Sequence, residues 1–106
     1  MMSVDIIGAD LLPLSLIGCA AWDVMSIVQK QRQQVTHLTV TAESERDPDP
    51  PWRFRKIRIL YRFTGRDLST QSIKRAIELT ETKYCSIYAT LRIAVDIRSE
   101  YEIVLE

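Results

Sequence analysis

The stretch Asp10-Leu11-Leu12-Pro13-Leu14-Ser15-Leu16-Ile17-Gly18-Cys19-Ala20-Ala21-Trp22-Asp23-Val24-Met25-Ser26-Ile27-Val28 decides how this chain folds. Its spacing predicts one helix from about Asp10 to Gln31. Asp10 is placed to cap the free amides of the first turn, and Pro13 falls where its missing N–H costs nothing. The apolar side chains cover nearly the whole circumference, and a helix of that kind is buried on all sides. Polarity returns only in Gln29-Lys30-Gln31-Arg32-Gln33-Gln34, with cations where the helix dipole favours them. Asp23 is the one charge inside the run, so it needs a partner to be tolerated there, and we read its role as structural. Asp23 also leaves the uninterrupted run shorter than the ~20 residues of a bilayer span. No Lys or Arg precedes the run, as an export leader would require. The expectation is a cytoplasmic protein with no membrane partner.

Working outward, Val35 to Glu45 alternates as a strand, with Leu38, Val40 and Ala42 on one face. Asp47-Pro48-Asp49-Pro50-Pro51 is a turn, since prolines cannot join a ladder. Trp52 to Thr64 is a second strand, with Ile57, Ile59, Tyr61 and Phe63 inward and Lys56, Arg58 and Arg62 outward. Ser69 reads as the cap of a second helix with Leu68 and Ile73 as its staple, followed by Ala76, Ile77, Thr80 and Tyr84 in helical rhythm. A short helix, Ile87 to Leu91, leads to a last strand, Val95 to Leu105. Residues 1–106 form one domain of the α+β class, an antiparallel sheet packed on a long buried central helix. Three strands offer too little surface to bury a helix on every side. Further sequence or a second subunit has to cover it.

The composition excludes little beyond extremes. The chain is 46% hydrophobic and 26% charged, and fourteen basic residues balance fourteen acidic ones, so net charge gives no reason to expect a polyanionic partner. Every charge from Arg53 to Arg66 is basic, with Phe54, Tyr61 and Phe63 interleaved. Those aromatics share parity with the core face, and Glu43 and Glu45 on the neighbouring strand can offset the charge, so no nucleic-acid partner is expected. His37 reads as a solvated side chain.

Two cysteines remain, Cys19 in the apolar helix and Cys85 in Lys83-Tyr84-Cys85-Ser86. In a reducing compartment they are free, metal-binding or redox-active rather than a permanent bridge. A buried cysteine is also an ordinary packing residue. Two thiols and the lone His37 fall short of the usual four zinc ligands, so neither a metal nor another cofactor is expected.

The chain resembles the OsmC/Ohr family of thiol-dependent hydroperoxide reductases, in its OsmC-like branch. The resemblance rests on Asp10-Leu11-Leu12…Gly18-Cys19, Asp23-Val24-Met25-Ser26-Ile27-Val28, the hairpin, Arg75-Ala76-Ile77-Glu78-Leu79 and Lys83-Tyr84-Cys85-Ser86. It implies an OsmC-like fold and an intertwined homodimer, which would cover the apolar helix. It also implies that Cys19 is a peroxidatic thiol and Cys85 its resolving partner, with an organic hydroperoxide and a dithiol reductant as reaction partners. Two features depart from the family pattern. Family members begin with about three further strands, one carrying an arginine that stabilises the peroxidatic thiolate, and no residue here matches it. Ala9 stands where the family carries a glutamate, and Asp10 follows about 100° further round a helix. A buried thiol without a cation is a poor nucleophile. A candidate cation could come from Arg92 or from the partner subunit, and the sequence singles out neither. The alternative is therefore a catalytically degenerate dimer acting as a structural or small-ligand-binding module.

Overall fold

The computed structural model describes residues 10–106. In chain order the elements are α1 (Leu11–Lys30), β1 (Gln34–Arg46), β2 (Phe54–Arg66), α2 (Thr70–Leu79), a single π turn (Thr80–Tyr84), α3 (Ser86–Leu91) and β3 (Asp96–Leu105). The sheet order is β1-β2-β3. β1 pairs antiparallel with β2, so that Val40 faces Tyr61 and Leu38 faces Phe63. β3 runs parallel to β2, with Tyr61 beside Tyr101 and Phe63 beside Ile103.

The expected antiparallel sheet is thus corrected to a mixed one. The chain between β2 and β3 holds two helices and the π turn, long enough to carry it back to the starting end of β2. A crossover of that length is what parallel pairing requires. Face assignments hold nonetheless, because parity along a strand is independent of its direction. Ile57, Ile59, Tyr61 and Phe63 are all fully buried. On the opposite face, Arg58 meets Glu43 at 3.9 Å and Glu100 at 3.3 Å, and Arg62 meets Glu102. These exposed pairs contribute at most about 1 kcal/mol each, and they occupy Arg58 and Arg62 of β2.

The helices cover the buried face. From α1, Leu16, Ala20, Val24 and Val28 join Ile73, Ala76, Ile77 and Val95 in one core with the β2 residues. α1 lies against β1, α2, α3 and the π turn. Its full burial is confined to that four-residue stripe, and Leu11, Leu14 and Trp22 are exposed, Trp22 to 77%. Within this chain the helix is therefore not buried on all sides as its composition predicts. By length and composition alone α1 could cross a bilayer, but a core helix passes the same test.

Local signals explain the element ends unequally. The Ser69 hydroxyl accepts from the Ser72 N–H at 3.2 Å, the expected cap, with Leu68 half-buried and Ile73 buried beside it. Asp10 occupies the cap position of α1 but makes no side-chain capping bond, because its own backbone is already helical (φ −68°, ψ −15°).

At Gly65 the backbone of β1 comes too close to β2 to leave room for a side chain. A Cβ there would lie 2.0 Å from the Gln34 carbonyl oxygen, next to the irregularity between Val35 and His37. The obstructing atoms, the Gln34 carbonyl carbon and oxygen and the Val35 Cα, are all backbone, so a strand would have to shift. Gly65→Ala is expected to cost about 1–3 kcal/mol, measured as a lower urea midpoint with an unchanged slope.

Candidate functional site

Cys19 and Cys85 come together. Cys19 sits midway along α1, one position before Ala20 of the buried stripe, and Asp23 follows one turn later, one position before Val24. Both are half-buried. Cys85 arrives from the other side of the core at the end of the π turn, whose closing bond runs from the Cys85 N–H to the Thr80 carbonyl at 2.9 Å. Its backbone is extended (φ −81°, ψ 103°), and its sulfur accepts from the Tyr88 N–H at 3.4 Å, capping α3. The Cys19 and Cys85 Sγ atoms and a carboxylate oxygen of Asp23 all lie within 4.8 Å of one another. The Cys19 thiol donates to Asp23 Oδ2 at 3.9 Å. Both cysteines are free thiols.

Asp23 thus has the partner its burial demands, and that partner is a candidate site residue. The two thiols differ in environment. Cys85 is 3% exposed. Burial pushes its thiol up to about 11 and the hydrogen bond shared with Cys19 adds to this, while the Tyr88 N–H opposes it. No cation is among the groups that set it. Arg92 caps the C-terminal end of α3, and its charge acts on Tyr88. Ala9 lies outside the described residues. His37 is exposed on β1.

A second polar feature escaped the sequence reading. The Glu81 carboxylate on the π turn accepts from the Tyr61 hydroxyl at 3.3 Å and from the Ser99 hydroxyl at 3.0 Å. Burial raises its pKa, against the lowering effect of those two bonds. Glu81 lines a cleft of about 570 Å³ between α2, α3 and β3, together with Lys74, Tyr88, Arg92 and Tyr101. The available signal was its position: Ile73, Ile77 and Glu81 occupy one i, i+4 lane, and the last is charged where the lane is otherwise apolar.

A mixed sheet, a helix laid across it and two facing thiols beside a carboxylate define a small α+β thiol protein. The family model for OsmC-like protein matches residues 8–100, and the chain belongs to this family. It is similar to protein YhfA of Escherichia coli K12, 44% identical over 87 residues that make up 82% of this chain and 65% of that protein. The chain therefore spans just under two thirds of the length of the curated relatives it matches. Among solved structures it matches an OsmC-like protein from Mycoplasma pneumoniae, with TM-score 0.82 and 16% identity over 96% of this chain and 74% of that one. It also matches the organic hydroperoxide resistance protein OhrB of Bacillus subtilis, with TM-score 0.63 and 13% identity over 94% and 73% of the two chains. At these identities the two structures share the fold.

The raised Cys85 pKa has a testable sign. The folded state holds this proton to a higher pH than the unfolded chain, whose thiol keeps the ordinary value of 9.0. The stability this contributes is complete below pH 9.0 and is lost as pH rises through about 11. An ultraviolet thiolate titration of the reduced protein is expected to show one thiol ionising near pH 11, and Cys85→Ser to remove that step. Urea unfolding between pH 8 and 11 is expected to show a steeper loss for the native chain than for Cys85→Ser.

Proposed function

We propose that this chain is a cytosolic, thiol-dependent reductase of organic hydroperoxides, with Cys19 as the peroxidatic thiol and Cys85 as the resolving thiol. The observation that carries this reading is the sulfur pair, two free thiols within 4.8 Å in a chain of this family. Cys85 is nearly sealed and holds its proton to about pH 11, whereas Cys19 is half-buried and reachable. The thiolate is the nucleophile, so attack belongs to Cys19.

In the first step the Cys19 thiolate displaces the alkoxide from the O–O bond, giving a sulfenic acid, and the alkoxide takes up a proton to leave as alcohol. Asp23 is the nearest carboxylate to that thiol and accepts its S–H bond, which orients the sulfur and offers a first stop for the proton. In the second step Cys85 attacks the sulfenic sulfur. The hydroxyl leaves with the Cys85 proton as water, and the Cys19–Cys85 disulfide forms. An external dithiol then reduces it by exchange.

The homodimer belongs to the same proposal. Leu11, Leu14 and Trp22 are exposed on a helix that is apolar on nearly every side, and a second copy is the partner that would cover them. Sedimentation of the native chain is expected to give a dimer, and Trp22→Glu a shift toward monomer. A monomeric native chain at micromolar concentration would remove this part of the proposal.

The raised Cys85 thiol, with no cation acting on it, also favours a second reading, a dimer that keeps the fold as a ligand-binding or structural module. Treatment with stoichiometric cumene hydroperoxide separates the two. The enzyme reading expects the disulfide in the native chain, a dimedone-trapped sulfenic acid on Cys19 in Cys85→Ser, and no oxidation in Cys19→Ser. Two intact thiols in the native chain after exposure would leave the module reading standing.

A further inference from the structure

We propose that in the reduced protein Cys19, Asp23 and Cys85 form a binding site for a thiophilic divalent cation, with Zn2+ as the type. The donor atoms are already gathered, since the two sulfurs and a carboxylate oxygen lie within 4.8 Å of one another. In a tetrahedral zinc site with Zn–S about 2.3 Å and Zn–O about 2.0–2.2 Å, neighbouring ligand atoms are roughly 3.5–3.8 Å apart. The Cys19–Asp23 separation of 3.9 Å is close to that spacing. The remaining contraction is small and falls on side-chain torsions at Cys85, at the junction of the π turn and α3.

The elements suit this arrangement. Cys19 and Asp23 are i and i+4 on α1, so they present their donors to the same side of one rigid helix. Cys85 closes the site from the opposite side on a segment pinned by its own backbone bond to Thr80. Two sulfurs and one carboxylate are a donor set for zinc rather than for calcium or magnesium, which take oxygen. Cys19 and Asp23 are half-buried, which leaves room for a fourth ligand, water or an added thiol. Binding balances as two thiols and a carboxylate plus Zn2+ giving a dithiolate–carboxylate complex and two released protons. The cation also supplies the opposite charge absent from the groups acting on Cys85, and so replaces a proton that this buried thiol otherwise retains.

Metal occupancy and a Cys19–Cys85 disulfide use the same electron pairs and exclude each other. Only this consequence rests on the hydroperoxide-reductase reading; the site itself does not. The test is a titration of the reduced full chain with Co2+, followed by Zn2+, with no peroxide present. The expected result is a thiolate-to-metal charge-transfer band that saturates at one Co2+ per chain and is displaced by Zn2+. Two protons should be released per metal, and both thiols should lose reactivity toward a disulfide reagent. Cys19→Ser and Cys85→Ser, each with unchanged circular dichroism, should lose the displaceable band, and Asp23→Asn should weaken binding. Absence of the band in the native chain, or a band unchanged in either cysteine variant, overturns the proposal. Because the readout is metal binding alone, a chain that binds zinc but ignores peroxide keeps the site and loses the reductase reading, and the reverse result is equally distinct.

Discussion

Leu16, Ala20, Val24 and Val28 recur every fourth residue along α1 and are fully buried in the core that also holds Ile57, Ile59, Tyr61 and Phe63. This one stripe sets the rotation of the helix about its axis, and the rotation sets the chemistry. Cys19 and Asp23 each precede a stripe residue by one position, so each lies about 100° round from the packing lane. That places both at the margin of the core, toward the segment that delivers Cys85. Had the helix been packed through the lane that holds Trp22, the thiol and the carboxylate would face elsewhere. The site is a by-product of packing, held by about 1.5–3 kcal/mol for each large apolar side chain buried.

The other half of the site depends on the crossover. A chain returning directly from β2 in a hairpin would have no room for α2, and nothing would carry Cys85 across to α1. The long connection makes β3 parallel to β2 and lays α2, the π turn and α3 over the same face of the sheet as α1. The π turn widens the end of that path. It lets the Cys85 N–H reach the Thr80 carbonyl five residues back and turns Glu81 inward onto Tyr61 and Ser99. Wide turns of this type recur at functional sites because they re-aim a few side chains without ending the element.

Much of this was legible in the sequence. The strand faces, the Ser69 cap and the extent of α1 follow from period and capping chemistry, which are local. The cysteine pair was legible through its family setting, and the relation of its two sulfurs needed the fold. Strand direction was not legible, because alternation of Ile97, Tyr101 and Ile103 reads identically in parallel and antiparallel pairing. The π turn was hidden because Thr80 and Tyr84 continue a helical rhythm, and a single added residue leaves that rhythm nearly intact. The burial of α1 was overstated for a different reason. Composition describes how much apolar surface a helix carries, and the chain itself fully buries only a stripe of it.

The two thiols share a carboxylate and a boundary between core and solvent, yet they cannot have the same reactivity. Cys85 is sealed by the packing that holds α3 in place, and desolvation penalises its anion. Cys19 lies on the open side of the same cluster, with its proton directed at Asp23. A reagent arriving from solvent therefore meets Cys19 first, and in the reading proposed above Cys85 reacts only once an electrophilic sulfur, or a cation, is placed against it. Each of these would remove the thiol proton in exchange for a bond, so on that reading the high proton affinity of Cys85 is a gate rather than a defect. On the same reading the buried thiol stays protonated toward solutes and yields only to a partner already held by Cys19 and Asp23.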